Sequence, residues 1–314
     1  MSTIPDPNAL VIPDQYLRLV DDAAIFPAGN APLDRAVSEH RAHRTAPYAG
    51  LVGSFVVSDV RLPELIDVLR SDGGEPAAPA GETVPLPLTV VVTGGAGAIE
   101  PAVLWATRAE EVDLRGMEIA LRDEADLAHN ARRMVTAVDQ LMSAGHLAED
   151  VAVHIEPPRL FGGAPSHSWL TALDEVAAVD LRLKFRTGGV TAEAFPGSAE
   201  LATCIESALD RELHFKCTAG LHNALRHRDS DTGFEHHGFL NVMLATRAGL
   251  DGSGPEEIAA VLDQGDRATL TAQLEQAGAQ GLVSAHRWFT GFGSCSVREP
   301  LQDLTDLGLI PREA

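Results

Sequence analysis

Short β-branched and aliphatic runs recur along the chain between longer stretches whose apolar residues fall at helical spacing. That alternation is expected of a parallel sheet with helices packed on it. Strands are predicted at 22–26 (DAAIF), 51–58 (LVGSFVVS), 87–93, 116–121, 151–156, 181–186, 214–218 and 288–293. Helices are predicted between them near 31–44, 61–71, 98–110, 126–144, 166–178 and 198–211, with a last one near 299–308; Asp126 and Ser198 have the type and place of N-caps. Eight strands with helical crossovers in 314 residues predict an α/β fold, a single-domain (βα)8, TIM-like barrel over 1–314, rather than an open doubly wound sheet.

Two stretches depart from the regular unit. Residues 71–86 (SDGGEPAAPAGETVPL) read as a surface loop. About 70 residues separate the seventh and eighth strands, where a plain crossover needs roughly half as many. The excess, 223–287, carries helical patterns near 236–250, 255–264 and 268–280 and reads as a helical insertion between the seventh and eighth strands. Phe239, Leu240, Val242, Met243 and Leu244 give it one apolar face, and Leu270 and Leu274 begin another. Helices this short must pack on something, so the segment is expected to be a lid over the barrel or a contact with a second copy of the chain.

Side chains alternate faces along a strand, so the parity opposite the apolar one points into the barrel. On 181–186 the inward set is Arg182, Lys184 and Arg186; on 214–218 it is His214, Lys216 and Thr218. His154 and Glu156 are inward on 151–156, and Glu118 on 116–121. A buried charge costs several kcal/mol unless paired, so four polar parities in succession point either to a functional site at the carboxyl ends of the strands or to a structural ion-pair network. With Arg186 beside the two lysines the pocket is expected to be positive and to take a small anionic metabolite. A second cation close to Lys184 would lower its pKa and free the amine.

The loops Thr187-Gly188-Gly189, Thr218-Ala219-Gly220 and Gly293-Ser294-Cys295-Ser296 follow the sixth, seventh and eighth strands. Their backbone N–H groups and hydroxyls suit an anion, although glycine after a strand is also ordinary turn chemistry. His222 directly follows the seventh strand and stands to touch substrate. Asp21 and Asp22 either reach the same pocket or cap the first βα unit.

Charge narrows the partners. Lys and Arg total 24 against 45 Asp and Glu, a formal net charge of −21, which repels nucleic-acid phosphates and anionic lipid. The start of the chain lacks a signal-peptide pattern and no apolar run is long enough to span a bilayer. Cys204, Cys217 and Cys295 have neither zinc-ligand nor disulfide-framework spacing, and together these features suit a reducing cytoplasm. His222, His227, His236 and His237, with Asp229, Asp231 and Glu235 among them, offer metal-type donors but no recognised zinc motif, so no metal and no cofactor are assigned. Cys295 is the one cysteine with a reactive setting, but no histidine partner is evident near it in sequence.

Lys184-Phe185-Arg186-Thr187-Gly188 resembles the K-x-x-T-G segment of deoxyribose-phosphate aldolase. Lys216 with Thr218-Ala219-Gly220 resembles that family's seventh-strand lysine segment, Glu118 stands where a fourth-strand aspartate serves in proton transfer, and Val153-His154-Ile155-Glu156 resembles the fifth-strand segment. Gly293-Ser294-Cys295-Ser296 resembles its eighth-strand phosphate loop. The resemblance covers about 87–222 and 288–300 as short motifs in order. Arg186, Gly189, Glu118 in place of aspartate, and the helical excess depart from it. It implies a class I aldolase in which Lys184 forms the Schiff base, Lys216 lowers its pKa, and Glu118 and Glu156 move protons. Substrate contacts would come from Arg186, Thr187, Gly188, Gly189, Thr218, Gly220, His222, Gly293, Ser294 and Ser296. The alternatives are a phospho-sugar isomerase or phosphoribosyltransferase-like enzyme using the lysines electrostatically, and a non-catalytic barrel that binds a small anion.

Overall fold

The protein is described by a computed structural model over residues 10–71, 84–122 and 126–312. Eight parallel strands close into a barrel: β1 (Val20–Asp22), β2 (Val52–Ser58), β3 (Leu86–Val92), β4 (Val112–Ala120), β5 (Ala152–Glu156), β6 (Arg182–Arg186), β7 (Phe215–Thr218) and β10 (Phe289–Ser294). β10 closes the ring between β7 and β1. A two-residue antiparallel hairpin, β8 (His227–Arg228) and β9 (Glu235–His236), follows β7. The helices are α1 (Leu33–Thr45), α2 (Leu62–Ser71), α3 (Ala96–Arg108), α4 (Leu127–Ser143), α5 (His167–Ala177), α6 (Ser198–Leu209), α7 (Phe239–Leu250), α8 (Pro255–Leu262), α9 (Arg267–Trp288) and α10 (Arg298–Asp306). Among the described residues no helix is long and apolar enough to cross a membrane.

Local chemistry explains these elements. In α4, Leu127, Ala131, Met134, Val138 and Leu141 recur at three- and four-residue spacing and are buried, and Asp126 caps the helix by accepting the His129 N–H at 2.9 Å. The cap expected of Ser198 is not made. Gly197 holds that position, and Ser198 lies one residue inside α6, its hydroxyl donating to Asp263 Oδ1 at 2.5 Å. The first strand also departs from the expected 22–26, because pairing with Phe292 of β10 and Val52 of β2 fixes it at Val20–Asp22. The chain then turns at once, with the Ala24 N–H donating to Asp22 Oδ1. Most of the loop expected at 71–86, residues 72–83, lies outside the described residues.

The stretch between β7 and β10 holds the β8–β9 hairpin and then α7, α8 and α9, which pack on the barrel wall and on one another. Residues 239–246 of α7 are all buried, and Phe239 stacks on Phe292 of β10 with ring centroids 5.1 Å apart. Asn241 ties the layer together: its Nδ2 donates to the Val261 and Gln264 carbonyls, while its Oδ1 accepts the Arg226 N–H. α9 bends at Gly278, whose φ of 63° joins two helical runs, and feeds directly into β10. A cleft of about 550 Å³ lies between α7 and α9, lined by Arg247, Asp251, Gln273 and Gln280, and is away from the strand ends. Because α7 completes the wall behind β10, Phe239→Ala should cost about 3–5 kcal/mol of unfolding free energy, read as an earlier urea midpoint with an unchanged slope.

Candidate functional site

The inward parity of the strands carries one connected chain of charges. Lys184 Nζ on β6 donates to Glu118 Oε2 at 2.8 Å and to Glu156 Oε2 at 2.7 Å. Lys216 Nζ on β7, directly opposite Lys184 in register, donates to Glu118 Oε1 at 2.6 Å and to Asp21 Oδ2 at 2.5 Å. Arg186 Nε donates to Glu156 Oε1 at 2.9 Å. Asp21 in turn accepts the Ser54 N–H at 2.7 Å and the Ser54 hydroxyl at 2.9 Å, and Ser54 meets the Thr89 hydroxyl at 2.6 Å. Signs therefore alternate from Arg186 through Glu156, Lys184, Glu118 and Lys216 to Asp21.

Residues without side chains make room for this chain. β2 bulges between Val52 and Phe55, where Gly53 and Ser54 face the single β1 residue Asp21. A Cβ on Gly53 in that bulge would stand 2.2 Å from Asp21 Oδ1. A Cβ on Gly116 would stand 2.5 Å from the Thr89 hydroxyl. Gly293 lies in register with Asp21 on one side and Thr218 on the other. Loop anchoring adds rigidity: Glu200 accepts Arg159 Nε at 2.5 Å and the Leu160 N–H at 3.0 Å, pinning the chain just beyond Glu156 to α6.

The four residues expected to be catalytic are thus in one place, but their electrostatics reverse the expectation. The pocket is not positive, since Arg186, Lys184 and Lys216 face Glu156, Glu118 and Asp21. Burial alone would lower the Lys184 pKa, yet Glu118 and Glu156 outweigh it and the net shift is upward. Lys216 behaves likewise, with Asp21 and Glu118 overcoming desolvation. Glu118 and Glu156 are held below the ordinary carboxylate value because their cations outweigh the cost of burial. Like-charge repulsion between the lysines does not free an amine, because a carboxylate stands between them. His154, beside Glu118 in register, is buried, and desolvation holds it well below its usual pKa, with Lys216 adding to the effect; among the described residues neither ring nitrogen has a hydrogen-bond partner.

The loop residues divide between the site and simple packing. Thr187 is fully buried, and its hydroxyl donates to the Ala219 carbonyl at 2.5 Å. Gly188 and Gly220 touch: a Cβ on Gly188 would stand 2.8 Å from the Gly220 α-carbon, and Gly220 has φ of 75°. Gly189 abuts Ala194. These glycines therefore serve close packing of two loops. Thr218 lies in register between Arg186 and Gly293. Ser294 is buried, its hydroxyl donating to the Ser296 carbonyl at 2.8 Å, and the Ser296 hydroxyl accepts the Glu299 N–H at 3.2 Å. His222 stands beside Cys295, its ring bound to Glu299. His237 is held by the Pro196 carbonyl at 2.8 Å, and among the described residues no group of three or more His, Cys, Asp or Glu side chains is placed to hold a metal ion. Asp21 is the residue whose part sequence reasoning left open; its place is set by the pairing of a three-residue strand, which has too few positions to show a period.

No protein-family model matches the chain, and no curated protein matches it.

The network predicts a pH window for stability. The depressed carboxylates stabilise the fold above their unfolded pKa of about 4.3 and lose that contribution as pH falls through their folded values; the raised lysines stabilise it below about 10.4 and lose it as pH rises through theirs. Unfolding free energy from urea titrations should therefore hold a plateau between those limits. Glu118→Gln, which leaves two buried ammonium groups with one partner fewer each, should lower it by about 3–5 kcal/mol at neutral pH.

Proposed function

We propose that the chain is a lyase of the class I aldolase kind, acting through a Schiff base between Lys184 and a small carbonyl compound. The observation that carries this reading is a 3% exposed Lys184 clamped by Glu118 and Glu156, with Lys216 alongside in register on the next strand. A lysine pair on β6 and β7 with a carboxylate on β4 is also what the resemblance to deoxyribose-phosphate aldolase implied.

The resting ammonium must lose a proton before it attacks. Glu156, at the carboxyl end of β5 with a side chain 12% exposed, is the acceptor nearer the mouth. Proton transfer within the pair replaces two buried ions by a neutral amine and a carboxylic acid, against the mutual stabilisation that holds Lys184 protonated and Glu156 ionised, so a bound carbonyl must draw it forward by consuming the amine. The amine adds to the carbonyl carbon, the Glu156 acid protonates the carbinolamine hydroxyl, and water leaves. In the cleavage direction, a carboxylate takes the proton of the substrate's β-hydroxyl, the Cα–Cβ bond breaks, an aldehyde departs, and protonation and hydrolysis of the enamine restore Lys184. Lys216 keeps Glu118 ionised and oriented throughout. Arg186, whose side chain is 43% exposed and uses Nε on Glu156, offers its outer edge to an anionic end of the substrate.

The upward shift of both lysines supports a second reading, in which they act only as fixed cations for an isomerase- or transferase-type step. Borohydride reduction in the presence of small aldehydes, ketones and phosphorylated sugars separates the two. An adduct confined to the Lys184 peptide and absent from Lys184→Met is expected, with turnover lost in Lys184→Arg, which keeps the charge but forms no imine. Turnover retained in Lys184→Arg without any trapped adduct would establish the electrostatic reading instead.

A further inference from the structure

A second nucleophilic group lies at the same end of the barrel and shares no residue with the lysine network. Cys295 directly follows β10, and its Sγ lies 3.5 Å from Nε2 and 3.8 Å from Nδ1 of His222, which follows β7, so the sulfur packs against the imidazole ring. The other ring nitrogen of His222 is 2.7 Å from Glu299 Oε2 at the start of α10. That contact assigns a proton to Nδ1, donating to the carboxylate, and leaves Nε2 as the ring nitrogen nearer the sulfur. A sulfur nucleophile, the ring that exchanges its proton and the carboxylate that orients that ring thus stand together.

The three groups are accessible and fixed. Cys295 is partly exposed, in contrast to buried Cys204 and Cys217, and the Glu299 side chain is 54% exposed. A Cβ on Gly29 would stand 3.0 Å from the Cys295 Cβ, so the loop after β1 is close-packed against the thiol and limits its rotamers. Among the described residues His236 on β9 also bears on His222, and it is itself lowered chiefly by burial and then by His227. Burial opposes protonation of His222, but Cys295 and Glu299 outweigh it and raise its pKa to about 10.

The geometry points to Cys295 as the nucleophile of an acyl-transfer site, with His222 as the group that holds and returns its proton and Glu299 as the positioning residue, for small activated esters or thioesters. With the Sγ proton held on His222 Nε2, a sulfur lone pair forms a bond to the acyl carbon. The carbon–oxygen or carbon–sulfur bond to the leaving group breaks, and that group takes the proton from Nε2. Water, deprotonated by the same nitrogen, then adds to the Cys295 thioester; the C–S bond breaks, the carboxylic acid leaves, and the thiol is restored.

Mixing the full chain with p-nitrophenyl acetate tests this. A burst of nitrophenolate equal to the chain concentration is expected, with one acetyl group mapped to Cys295 by peptide mass spectrometry. The burst should vanish in Cys295→Ala, slow by about 10²-fold or more in His222→Gln, and change its pH profile in Glu299→Gln. Cys295→Ala should leave borohydride trapping at Lys184 intact, so failure here and failure of the Schiff-base reading are separable. Acetylation elsewhere, or an unchanged rate in folded His222→Gln, would overturn the assignment. Should His222→Gln not fold, the unaltered chain decides. Acylation no faster than that of a free cysteine peptide at the same pH would refute the site, and faster acylation at Cys295 would support it.

Discussion

One constraint organises the barrel interior: Glu118 is a single buried carboxylate shared by two lysines. Removed from water, each charge on the inward faces must find its opposite within a few ångströms, and the strand register decides whether it can. Lys184 and Lys216 are adjacent because β6 and β7 pair in register, and they coexist because Glu118 reaches between them. The remaining partners follow in sequence, Glu156 and Arg186 on one side, Asp21, Ser54 and Thr89 on the other. The bulge in β2 and the missing side chains at Gly53 and Gly116 are what this arrangement requires of the backbone.

Much of this was legible in the chain before any coordinates. Period-two alternation put Lys184, Lys216, Glu118 and Glu156 on the inward face, and alternation of strands with helices announced the closed barrel. Parity states a face but not a neighbour across the barrel, so the pairing of cations with carboxylates, and hence the upward shift of both lysines, was out of reach. Ser54 was hidden for a related reason, because a bulge breaks the alternation on which the reading rests. His222 and Cys295 are 73 residues apart and meet because β7 and β10 are neighbours, a contact that topology supplies and spacing does not.

The barrel mouth therefore holds a lysine and a cysteine with opposite electrostatic settings. Lys184 is saturated by carboxylates, whereas Cys295 packs against an imidazole that is also bound to Glu299. Their separation in the hydrogen-bond pattern means that neither depends on the other's protonation for its geometry. The helices between β7 and β10 support both indirectly, since α7 packs behind β10 while the segment ahead of it carries His222.

Contact between Gly188 and Gly220 has a consequence of another kind. Each backbone occupies the space that a methyl group on the other would need, and the Phe195 ring closes the remaining side. The loops after β6 and β7 consequently behave as one mechanical body, and a displacement that began at Thr187 would carry Ala219 with it through their shared hydrogen bond. Drift in the sequence at these two positions is similarly linked: neither glycine has a tolerated neighbour in sequence space while the other stays in place, so the pair can change only through a rebuilt loop crossing.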